Sequence, residues 1–114
     1  MKKLVLAAAL STLILTSCTF EKAEPFVEEC PSTVLFQTQV KPIIDAKCVT
    51  CHVSGGTGTG DFTIFTEFQS RALNGMVNDK VFVAKSMPPG GSPQLTEDEL
   101  QLLKCWLKQG SLDN

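Results

Sequence analysis

The sequence predicts a small all-α domain of three to four short helices joined by long loops. Three observations carry that expectation. No stretch of four or more residues alternates apolar and polar side chains as a half-buried strand would. One segment near the C-terminus has a full set of helix start and stop signals. Two stretches, 54–60 and 86–93, are so rich in glycine or proline that they can be neither helix nor central strand.

The 114-residue chain has room for one small domain, and its N-terminal segment must be set apart first. Met1, Lys2 and Lys3 form a short positive start, and Leu4 to Leu15 is an uncharged apolar run. This is the make-up of a signal-peptide core, and it is shorter than the roughly 20 apolar residues that span a bilayer. The run ends in Leu15, Thr16, Ser17 and Cys18, which resembles the lipobox of bacterial lipoproteins. The resemblance implies cleavage after residue 17 and lipidation of Cys18, hence an exported chain anchored to a bacterial membrane without crossing it.

Residues 18–31 are acidic, contain Pro25 and Pro31 and have no helical or strand period, so they read as a tether. The folded domain spans 32–114. From Leu35 to Lys47, the apolar positions Leu35, Phe36, Val40, Ile43 and Ile44 fit one helical face, with Pro42 either kinking it or starting a second helix. Phe62, Ile64, Phe65, Phe68 and Ala72 suggest a middle helix from about Thr66 to Asn74, stopped by Gly75. The last helix is the best marked. Thr96 and Glu99 make a capping box, Leu100, Leu103, Trp106 and Leu107 an apolar stripe, and Gly110 a stop.

Loss of Lys2 and Lys3 leaves eight basic and twelve acidic side chains, a net charge of −4. That argues against nucleic acid as a partner and for proteins that present a basic patch. The five cysteines are more informative. Cys18 goes to lipid, Cys48 and Cys51 belong to a motif, and Cys30 and Cys105 remain as an even pair in a compartment where disulfides persist. On an idealised wheel Cys105 shares a flank with Asp98 and Gln101, away from the apolar stripe, which places it to meet the tether rather than the core.

Cys48-Val49-Thr50-Cys51-His52 is the c-type haem attachment sequence. Two thiols three positions apart can add to the two vinyl groups on one porphyrin edge, and the next residue then lies under the iron. A zinc site built from Cys48, Cys51, His52 and one of Cys30 or Cys105 is a rival, although structural zinc usually takes two close ligand pairs and this chain has one. A redox-active dithiol would need an alternating strand and helix context that is missing. His52 is the only histidine, so the sixth ligand must be another residue type, and methionine is the natural candidate. The choice lies between Met87, in a rigid proline-flanked loop, and Met76, which reads as core filler. The 54–60 glycines match no phosphate-binding motif and read as a turn passing close to a large flat group.

Val40 to Ile44, Cys48 to His52, Met87 to Gly90 and a last helix bearing Trp106 together resemble a small class I monohaem cytochrome c domain over about residues 34–112. The resemblance implies first and last helices crossing beside one covalent haem c, although the first helix lacks the glycine many members carry at the crossing. It implies Cys48 and Cys51 as thioether positions, His52 and Met87 as axial ligands, and Phe65, Pro88 and Trp106 in the haem pocket. The activity expected is one-electron transfer between redox proteins at a membrane, not enzymatic turnover. Two other readings are an open sixth position serving as a small-ligand sensor or weak peroxidase, and a structural zinc lipoprotein.

Overall fold

A computed structural model describes residues 29, 30 and 33–114. The signal segment 1–17, Cys18 and the tether up to residue 28 lie outside the described residues. Within them the chain is all-α, with no strand and no helix long and apolar enough to cross a membrane.

A π-helical turn, Phe36–Val40, leads directly into α1, Lys41–Lys47. Pro42 sits in the first turn of α1, where its missing N–H costs nothing, so the proline starts a second short helix instead of kinking one long one. Helix α2 spans Phe65–Leu73 and ends at Gly75, whose φ of 84° is the left-handed value glycine takes without strain. The chain then turns helical again, as α3, Met76–Asn78, and a π-helical turn, Asp79–Val83. The sequence reading carried no element there. Val77 is buried in this segment, whereas Met76, expected as core filler, is 44% exposed.

Helix α4, Glu97–Lys108, has the predicted capping box: Thr96 Oγ1 accepts from the Glu99 N–H at 3.2 Å, and Glu99 Oε2 accepts from the Thr96 N–H at 2.8 Å. Its C-terminus closes as a Schellman motif. The Ser111 N–H donates to the Trp106 carbonyl, the Gly110 N–H to that of Leu107, and Gly110 adopts a φ of 95°.

The core joins the Phe36–Val40 turn, α1, α2, α3 and α4 through Val34, Phe36, Val40, Ile44, Phe68, Ala72, Val77, Leu103, Cys105 and Trp106. Helix α4 lies against the first turn, with the Trp106 ring 5.3 Å from that of Phe36 and 5.8 Å from that of Phe68. Cys105 corrects the wheel-based expectation, since it is fully buried. It is bonded to Cys30 with the Cα atoms 5.4 Å apart, and Gln101 Nε2 donates to the Glu29 carbonyl. The tether's end therefore covers the flank that the wheel left open.

The first turn has no capping side chain at Leu35. Asn114 supplies the missing acceptors: its Oδ1 accepts from the Phe36 N–H at 2.9 Å and its main-chain oxygen from the Gln37 N–H at 3.0 Å. Asn114→Ala is expected to lower stability by about 1 kcal/mol, the usual worth of a capping side chain, measured by urea unfolding.

Candidate functional site: the Cys48–His52 turn

Helix α1 ends at Lys47, and the chain coils once more to deliver the motif. The N–H groups of Cys51 and His52 both donate to the Cys48 carbonyl, at 3.2 and 3.0 Å, so the two cysteines and the histidine share a single tight turn. The Cys48 and Cys51 thiols are free and half-buried. Burial pushes the Cys48 thiol up to about 11. A raised thiol value stabilises the folded protein fully below the ordinary thiol range, and that contribution is lost as pH rises through about 11. Cys48 is accordingly expected to react with iodoacetamide at pH 8 about tenfold more slowly in the folded chain than in the urea-unfolded one, read by peptide mass spectrometry.

His52 is held on three sides. Its Nδ1 lies 3.0 Å from the Thr59 carbonyl oxygen. A carbonyl can only accept, so the neutral ring in this position has its proton on Nδ1 and its lone pair on Nε2, the tautomer of a histidine that ligates metal through Nε2. The imidazole stacks on Phe62, with centroids 4.2 Å apart and planes within 6°. Gly58 completes the enclosure. A Cβ there would lie 2.6 Å from Nδ1, 2.7 Å from Cε1 and 2.8 Å from Cγ, nearly equidistant and thus over the ring face. Within the chain, the group that the glycine-rich loop passes is the small His52 imidazole.

The loop is fastened by further bonds. Gly58 N–H donates to the Cys51 carbonyl at 2.8 Å and Phe62 N–H to the His52 carbonyl at 2.8 Å. The Asp61 carboxylate accepts from the Thr63 hydroxyl and from the N–H groups of Thr63 and Ser54. The Thr63 hydroxyl foremost, with those N–H groups, holds that carboxyl below its ordinary range. Arg71 lies over the Phe62 ring at 5.7 Å. Thr59, Asp61, Phe62 and Arg71 are not among the site residues expected from the sequence, because no local motif marks a residue seven to nineteen positions away as a histidine support.

Of the other expected site residues, Phe65 and Trp106 connect to His52 through rings. Phe65 packs on Phe36 at 4.6 Å, Phe36 on Trp106, Trp106 on Phe68, Phe68 on Phe62 at 5.1 Å, and Phe62 on His52. Trp106 itself is enclosed in the core, with Nε1 donating to the Leu112 carbonyl at 2.9 Å. Met87 and Pro88 are placed separately. The N–H groups of Ser86 and Met87 donate to the Lys80 carbonyl at 2.9 and 3.1 Å, the Met87–Pro88 peptide is cis, Pro88 is buried and Met87 is 40% exposed. Cys30 and Cys105 are bonded to each other, so neither is offered to a metal beside Cys48, Cys51 and His52. Among the described residues no three His, Cys, Asp or Glu side chains converge on a metal position.

The donor set fits a haem: two unbridged thiols and a free Nε2 on one turn. No protein-family model, curated protein or solved structure matches the chain.

Proposed function

We propose that the chain is a monohaem c-type cytochrome, exported, lipid-anchored through Cys18 and acting as a one-electron carrier at the outer face of a bacterial membrane or in the periplasm. The observation that supports this most is the 3.0 Å contact of His52 Nδ1 with the Thr59 carbonyl oxygen. A histidine next to C-x-x-C, with Nδ1–H donated to the Thr59 carbonyl, has Nε2 left as its ligating atom. Cys48 and Cys51 would hold haem c as thioethers, His52 would be the proximal axial ligand and Met87 the distal one. When bound, the haem supplies an iron that cycles between ferric and ferrous by one electron. The chain's own residues orient the ligand and surround it with apolar rings. Methionine as sixth ligand raises the potential, so a positive value is expected.

The partners on this reading are a redox donor and acceptor presenting basic patches to a mature chain that carries 8 basic and 12 acidic side chains, and the lipid membrane through the acyl anchor. The 40% exposure of Met87 favours, as the second reading, a sixth position that opens to a small ligand.

Intact mass tests the covalent claim. The chain matured with haem-attachment machinery should carry the mass of one haem that survives acid-acetone extraction. Cys48→Ser and Cys51→Ser should each retain one thioether and their double variant none. A wild-type chain at its bare polypeptide mass would reject the proposal.

A further inference from the structure

We infer that Lys47 and Gln94 are positioning residues that fix the Met87 loop to the end of helix α1 where Cys48 begins. The inference rests on the reading of Met87 as the sixth ligand and deepens it.

An exposed thioether makes few contacts of its own, so the backbone must set its place. Residues 84–96, which carry Met87, have no regular secondary structure, and Pro88, Pro89 and Pro93 contribute no N–H donors. The side chain of Gln94 supplies the missing donors. Its Nε2 lies 2.9 Å from the Ser92 carbonyl oxygen, 3.1 Å from that of Pro89 and 3.3 Å from that of Pro88. All three partners are acceptors, which settles the orientation of the amide.

The main-chain oxygen of Gln94 in turn accepts from Lys47 Nζ at 2.9 Å. Lys47 Nζ is also 3.6 Å from Oε2 of Glu99, the carboxylate of the α4 capping box. Only 17% of the Lys47 side chain and 25% of that of Glu99 is exposed, so this pair is better shielded than an ordinary surface pair. One bonded path thus runs from Lys47, next to Cys48, through Gln94 to Pro88, next to Met87. On the other side of Met87, the Lys80 carbonyl holds Ser86 and Met87 by their N–H groups. The methionine is strung between two fixed points, and one of them is the helix that delivers the attachment cysteines. Loosening that point should free Met87 without unfolding the domain.

The test uses the haem-loaded protein and three readouts: binding of added imidazole to the ferric iron, the weak ferric band at about 695 nm expected of methionine ligation, and thermal unfolding by circular dichroism. Gln94→Glu removes the donors and sets a carboxylate against three carbonyls, while Lys47→Met removes the ammonium. Both are expected to bind imidazole about tenfold more tightly than wild type and to lose the band well below their unfolding temperature. Lys47→Arg should behave as wild type. Asn114→Ala, which weakens the fold elsewhere, should lower the unfolding temperature and leave imidazole affinity within about twofold.

Gln94 is exposed, so Gln94→Glu keeps the test open should Lys47→Met fail to fold. If wild type has covalent haem and the band, but Gln94→Glu binds imidazole as wild type does, this inference is overturned and the cytochrome reading stands. Covalent haem without the band in wild type overturns the inference together with Met87 as ligand. No covalent haem overturns both readings at once.

Discussion

Replacing Cys30 and Cys105 by alanine is expected to destabilise the domain by about 4 kcal/mol. The bond joins residues 75 apart in sequence, and the chain-entropy model puts the stabilisation from closing such a loop at up to about 4.5 kcal/mol. Cys105 is fully buried, so its truncation also removes packing from the core. A domain this small buries little apolar surface, and small domains total only about 5–15 kcal/mol of stability, so the loss is a large share of the whole. Urea unfolding of the double variant beside wild type measures it. A shift under about 1 kcal/mol would mean that the residues 29–30 segment stays on α4 without the bond. The same bond fixes where the tether leaves the domain. With Glu29 and Cys30 held on the flank of α4, a lipid anchor at Cys18 would suspend the domain from that helix.

Gly58→Ala is expected to have the largest effect on the site. The new methyl would sit within 2.8 Å of three atoms of the His52 ring, well inside contact distance. The ring is stacked on Phe62 and bonded to Thr59, so it cannot yield without breaking one of the two. Overpacking of this kind costs about 1–3 kcal/mol. The sharper outcome concerns the ligand: with the Thr59 bond broken, the imidazole loses both its fixed tautomer and its aim. The prediction is a haem attached by both cysteines yet high-spin, and in the haem-free protein a His52 Nδ1 that is no longer protonated, read by ¹⁵N chemical shift. A low-spin haem and an unchanged Nδ1 shift in Gly58→Ala would show that the loop, and not the histidine, gives way.

Much of this architecture was legible before any coordinates. Helix α4 was readable because its signals are local: Thr96 and Glu99 sit three apart and Gly110 follows the last turn. The Cys48 to His52 segment stood out because a motif of this kind depends on spacing alone, and the structure places it on one tight turn. What escaped depends on residues far apart in sequence. Cys105 shares a wheel flank with polar residues of its own helix, yet it is buried in the core and bonded to Cys30, which lies 75 residues away. Asn114 caps a turn 78 residues away. The 76–83 segment mixes Met76, Val77, Val81, Phe82 and Val83 with polar residues, and β-branched side chains favour strands as readily as helices, so its apolar pattern marked no helix. Phe62 fitted the apolar period of the middle helix, yet that helix begins at Phe65 and leaves Phe62 free to stack on His52. Gln94 carried no signal at all, since an amide that ties three carbonyls of a neighbouring loop follows no period.

If a haem is held by Cys48, Cys51 and His52 and closed by Met87, as proposed, one optical experiment on the matured protein shows it. The spectrum is taken ferric, then reduced with dithionite, then with carbon monoxide added. The expected result is a low-spin c-type reduced spectrum, a ferric band at about 695 nm and no response to carbon monoxide. A high-spin spectrum that shifts with carbon monoxide would contradict Met87 as ligand and make the protein a small-ligand binder, and the absence of any haem absorbance would contradict the central claim itself.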